Sequence, residues 1–137
     1  MIFSEATCKV RTPRILGIMR IVVGFLFLQH GTSKLLGFPH NTMFDGLQLV
    51  SLIGLAGTLE LVGGSLVLLG LFTRPVAFIL SGEMAVAYFM VHVAGVRDVL
   101  LPIMNHGEPA VLYCFVFLYL SVAGSGAFGL DAMRKKG

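Results

Sequence analysis

Charge is what this sequence has least of. Asp, Glu, Lys and Arg make up 12% of its 137 residues, against about 25% in a soluble domain. Hydrophobic residues make up 56%, and the mean hydropathy is +0.90. A water-facing surface cannot be built from such a chain. Cysteine is also scarce. Cys8 and Cys114 lie far apart and no Cys-x-x-Cys occurs, so the chain alone is not a dithiol oxidoreductase. No nucleophile–base pair, phosphate-binding loop or cofactor motif is visible. The net charge of +3 is spread over both termini and one turn, which points to topology and not to nucleic acid.

Long apolar runs are what the sequence has instead. A spanning helix needs about 20 mostly apolar residues. Four runs fit, at 15–36, 49–72, 76–96 and 109–130. Their length and the Gly/Pro-containing loops between them argue helices over the alternating strands of a barrel. The connections are short, so residues 1–137 are expected to form one transmembrane domain, an all-α integral membrane four-helix bundle. Basic residues orient it. Lys9, Arg11, Arg14, Arg74, Arg134, Lys135 and Lys136 fall on one side and Arg97 on the other. Both termini are then cytoplasmic, and loops 37–48 and 97–108 face outward. The first run is expected to be retained, because HGTSKL (30–35) at its outer end is not a small-residue cleavage site.

Three runs carry charge: Arg20 and Lys34 in the first, Glu60 in the second, Glu83 in the third. An unpaired charge at bilayer depth costs about 2.5–3.5 kcal/mol on insertion scales. The helical neighbours of Glu60 are Ala56, Gly57, Gly63 and Gly64, all small, so another helix can approach this acid closely. At about 1.5 Å per residue, Arg20 lies roughly 8 Å and Glu83 roughly 11 Å in from the cytoplasmic side, with Glu60 near the midplane. The expectation is one buried network of Arg20, Glu60 and Glu83. Arg20 would neutralise one acid, and the other would be protonated or find another donor.

A second polar group gathers at the outer side: His30, Lys34, His92, Asn105, His106 and Glu108. These are the candidate ligand-pocket residues. At about 100° per residue, Arg20, Gly24, Phe27, His30, Gly31 and Lys34 share one helical face of roughly 120°. Gly17, Gly24 and Gly31 repeat every seven residues there, so this face should point into the bundle. Glu83 and His92 are nine residues apart. They point in opposite directions unless the helix bends or ends before His92. His92, His106 and Glu108 have ligand chemistry suited to zinc, copper or iron, but they come from separate segments without a His-x-x-x-His or Cys pair. Neither a metal site nor a haem is expected.

The segments RIVVGFLFLQHGTSKLLGFP (20–39), GLAGTLELVGGSLVLLGLFTRP (54–75), GEMAVAYFMVH (82–92) and NHGEPAVLYCFVFLYLSVAGSGAFGLDA (105–132) resemble the DoxX family of small bacterial inner-membrane proteins. The carrying features are Arg20, the Gly31-x-x-Lys34 pair, Glu60 among glycines, and Asn-x-Gly-Glu at 105–108. The resemblance implies a four-helix bundle in the bacterial inner membrane and an association with redox chemistry, quinone- or thiol-linked. Members often have Gly at the position of His106, so a role for His106 would be peculiar to this chain.

The reading is thus an integral membrane subunit of a bacterial redox system, working through a polar pocket in the bundle. Quinone is the cofactor it would meet. The lipid bilayer, a redox partner protein and further copies of the chain are the partners. The alternative is a non-enzymatic scaffold or a transporter of a small molecule or lipid. Glu60 would carry protons, touch a quinone headgroup, or serve only as a structural ion pair.

Overall fold

A computed structural model describes residues 3–97 and 99–135, without the side chain of Val96. Helix α1 spans Glu5–Leu36. The Ser4 hydroxyl caps it by accepting from the Thr7 amide, and Gly37 ends it at φ 65°, a left-handed conformation that glycine adopts without strain. A 3₁₀ turn at Thr42–Phe44 comes next. Helix α2 spans Leu52–Leu69, capped by Ser51. Helix α3 spans Thr73–Ala87, continues as a π segment over Tyr88–Val93, and closes with the short α4, Ala94–Val96. Helix α5 spans Glu108–Ala123 and α6 spans Leu130–Arg134. No strand occurs among the described residues. Three helices are long and apolar enough to cross a membrane: Glu5–Leu36, Leu52–Leu69 and Thr73–Val93. Helix α5 is apolar but shorter.

Glycine sets the contact between α1 and α2. Gly24 faces Leu68, Gly31 faces Leu61 and Gly64 faces Leu28, a continuous antiparallel register. A Cβ on Gly24 would lie 2.6 Å from the Leu68 nitrogen, and one on Gly64 would lie 2.9 Å from the Leu28 Cα. The two backbones therefore touch, as small-residue faces in a bilayer allow. Helix α3 returns along α2 with Leu80 against Gly63. Helix α5 lies along α3, where the Ser81 hydroxyl donates to the Cys114 carbonyl at 2.8 Å. Phe27, Val67, Leu80, Phe117 and Leu120 form the centre of the core. Phe25, Leu55, Phe78, Leu112 and Phe115 are exposed on the perimeter. An exposed apolar perimeter around a polar-containing interior suits lipid.

The first turns of α1 and the stretch 127–131 lie at the end that holds the α2–α3 turn. The Ala127 amide donates to the Pro13 carbonyl at 2.7 Å and the Asp131 amide to the Gly70 carbonyl at 2.8 Å. Phe72, the residue before α3, offers no side-chain cap. The Asp131 carboxylate takes that place, accepting from the Phe72 and Thr73 amides at 2.9 and 2.8 Å. Burial acts to raise the pKa of Asp131, but these two donors and nearby Arg134 outweigh it and hold the carboxyl below its ordinary value.

Several boundaries differ from those read in the sequence. Helix α1 begins at Glu5 and not at 15, and α2 occupies Leu52–Leu69 within the expected 49–72. The third helix begins at Thr73, three residues before the expected 76, because Asp131 caps it from a distance. The fourth ends at Ala123 and not at 130. Gly124 and Gly126 adopt φ 86° and 66°, which stops the helix inside an unbroken apolar run.

Candidate functional site

The charges of the bundle sort into two separate places. Arg20 is fully buried, yet it pairs with neither Glu60 nor Glu83. Its guanidinium donates to backbone carbonyls: Ser125 at 2.8 Å, Val67 at 2.9 Å, Leu68, and Ala127 at 3.5 Å. Val67 and Leu68 close α2, where the last carbonyls lack the i+4 amides of the helix interior; the Val67 carbonyl also accepts from the Gly70 amide at 3.0 Å. A cation there satisfies them and complements the helix dipole. The α1–α2 register puts Arg20 level with the α2–α3 turn. Glu60 is eight residues up from Leu68, about 12 Å at helical rise, which is why the expected three-member network divides.

Lys34 is the cation that reaches Glu60. Its ammonium donates to both carboxylate oxygens, at 2.6 and 2.7 Å. The side chains are 14% and 4% exposed, so this is a buried pair and not a surface one. Gly57 makes it possible: the Lys34 Cβ lies where a side chain on Gly57 would begin, leaving the lysine stem a path down α2. The pair thus joins the outer group read in the sequence to the deeper acid.

Glu83 lies at the same level. Leu80 faces Gly63, so three residues further along each antiparallel helix Glu83 stands opposite Glu60. Both of its carboxyl oxygens are shielded and have no hydrogen-bond partner. Glu60 and Lys34 are its charged neighbours. His30 is within electrostatic reach of the same pair. Its ring packs against Phe27 and Tyr113, with centroids 6.2 and 6.1 Å away. One level of the bundle therefore holds two acids, one ammonium and one imidazole.

A polar cavity of about 260 Å³ opens above this level, lined by Ser33, Lys34, His40, Asn41, Phe44 and Asp45 among others. Lys34 is common to the cavity and the ion pair. Its ammonium lies 5.7 Å from the centre of the Phe44 ring, in cation–π range. His40 and Asp45 are 3.1 Å apart and both exposed.

His92 and Asn105 form a second cluster. The His92 ring nitrogen Nδ1 lies 3.0 Å from the Asn105 carbonyl oxygen. The Asn105 amide donates to the Tyr88 hydroxyl at 3.2 Å, and that hydroxyl donates to the Val99 carbonyl at 2.8 Å. The π segment explains the direction of His92. A π turn takes in an extra residue, which rotates the downstream residues by about 100° relative to an uninterrupted α-helix. His92 then stacks on Tyr88 and meets the 99–107 loop. His106 and Glu108 are exposed and join neither cluster. Among the described residues no three His, Cys, Asp or Glu side chains converge as a metal site would require.

Sequence reasoning passed over Asp131, Tyr88 and the His40/Asp45 pair. Only Asp131 carried a usable signal, as an acid two residues into a short terminal helix.

Charged side chains held inside apolar, membrane-length helices define a membrane protein with a polar interior. The chain belongs to the DoxX family, whose model matches residues 15–93. An "Uncharacterized protein" of Haemophilus influenzae is 49% identical over 120 residues, covering 87% of this chain and 90% of that protein. The "Putative oxidoreductase CatD" of Bacillus subtilis is 30% identical over 122 residues, 88% of this chain and 87% of its own. The "Inner membrane protein YphA" of Escherichia coli is 30% identical over 127 residues, 87% and 89% respectively. No solved structure matches the chain.

Proposed function

We propose that the protein is an integral subunit of a bacterial redox system, seated in the inner membrane as a four-helix bundle with both termini in the cytoplasm. It docks a partner oxidoreductase and meets a quinone- or thiol-linked reaction at the Lys34 cavity. The observation that carries this reading is the Lys34–Glu60 pair. It is buried among apolar helices and touches a polar cavity on the loop side, where a structural ion pair needs no opening. The name of the Bacillus relative, an oxidoreductase, and that of the Escherichia relative, an inner membrane protein, agree with it.

Reduction of a quinone takes two electrons and two protons. Electrons would come from the partner. This chain would supply the headgroup with a cation from Lys34 and a nearby acid. His92, Asn105, His106 and Glu108 then serve the outer loop and partner contact, not the cavity.

The test is purification in native nanodiscs, with mass spectrometry of small molecules and proteins that remain bound, followed by quinone reduction with the retained partner. The double variant Lys34→Met/Glu60→Leu removes the pair without leaving one charge alone. It is expected to fold and to lose partner-dependent quinone reduction by at least tenfold. Wild-type rates in that variant, or a preparation holding only phospholipid, would overturn the reading and turn attention to transport or scaffolding.

A further inference from the structure

The level of the bundle that holds Lys34 contains one more acid than it has cations. Lys34 gives Glu60 two of its three ammonium hydrogen bonds, and no hydrogen bond reaches either oxygen of Glu83. The charged groups within electrostatic reach of Glu83 are Glu60 of α2 and Lys34 of α1. His30 of α1 is within electrostatic reach of Glu60 and Lys34, and its ring packs against Tyr113 of α5. Arg20 is committed to the carbonyls of Val67, Leu68, Ser125 and Ala127 and lies at another level. Both Glu83 oxygens are closed off from solvent, with no donor beside them. A carboxylate in that position would be an uncompensated charge within a bilayer, whereas a carboxylic acid would not. Two carboxyls facing each other across one interface do not both ionise readily.

We propose that Glu83 is a proton-binding site, the neutral member of a Glu60–Glu83 carboxyl pair in which Lys34 balances the ionised member. The proton on Glu83 is a stored ligand of the bundle. It can be given to, or replaced from, whatever occupies the Lys34 level. Nothing in this assignment requires electron transfer. It stands equally for a redox subunit and a transporter, so its failure and the failure of the redox reading are separate outcomes.

The test is infrared spectroscopy of the full-length protein in nanodiscs at neutral pH, with ¹³C-glutamate labelling. A protonated carboxyl C=O band is expected that moves with the label and shifts in D₂O. Glu83→Gln should remove it, and Glu108→Gln, which alters an exposed acid, should leave it unchanged. Because Gln matches a protonated Glu in shape and charge, Glu83→Gln should unfold at the wild-type temperature. Should that variant fail to accumulate, Glu83→Asp reports the same proton by displacing the band. A wild-type spectrum without a label-sensitive carboxylic acid band overturns the proposal. So does a band that Glu83→Gln or Glu83→Asp leaves in place.

Discussion

A lysine and a glutamate 26 positions apart carry the largest electrostatic stakes in the molecule. Because the Lys34–Glu60 pair is almost wholly buried, removing one partner leaves an uncompensated charge. Lys34→Met, which leaves Glu60 and Glu83 without their cation, is expected to destabilise the protein by about 3–5 kcal/mol, and Lys34→Met/Glu60→Leu to recover most of that loss. Thermal unfolding of the three forms in one detergent checks this. Asp131 supplies a pH-dependent counterpart outside the membrane. Its carboxyl titrates below the ordinary aspartate value of 3.8. The stability it gives α3 is therefore present above that value and lost as pH falls through its folded-state pKa. Asp131→Ala should cost about 1 kcal/mol at neutral pH, and its melting temperature should draw closer to the wild type in acid. That Glu60 is buried among glycines was legible in the sequence, from the small residues at plus and minus three and four. Its partner was not. Lys34 looked like a helix-end residue and Arg20 like the deeper cation, and only the α1–α2 register reveals that Lys34 reaches inward while Arg20 meets carbonyls.

Helix α1 is a spine with glycine notches, and its partners are chosen by where the notches fall. A side chain at Gly31 would collide with the backbone of Leu61 and Glu60, neither of which can move without breaking α2. Gly31→Leu is expected to separate the two helices and abolish a monodisperse peak in size-exclusion chromatography. Gly82→Ala, at a site with nothing nearby, should elute as wild type. The heptad of glycines announced this contact face directly. Two features of the elements were hidden because local apolarity does not distinguish them. One is the stop at Ala123, where Gly124 and Gly126 sit in a hydrophobic run. The other is the π segment, whose sequence YFMVHV (88–93) is as hydrophobic as an ordinary turn. It is stabilised by Tyr88, His92 and Asn105, partners that lie beyond any local window.

The whole molecule is two-ended: an end with basic residues, the start of α1, helix α6 and the α2–α3 turn, and an opposite end with the longer loops. A cytoplasmic basic end predicts that a membrane-impermeant maleimide leaves Cys8 unlabelled in intact cells and labels it in opened ones, while Gln48→Cys is labelled in both. Cys8 and position 48 are both exposed, so accessibility within the fold does not confound the result. At the basic end, Arg20 from the first helix waits for the carbonyls of Ser125 and Ala127, and the start of α3 waits for Asp131. The stretch 125–131 thus completes bonds that α1 and α3 leave open. Without it the Arg20 guanidinium would lose two of its acceptors and α3 its cap. This stretch is a clasp, tying the first helix and the third into one end of the bundle.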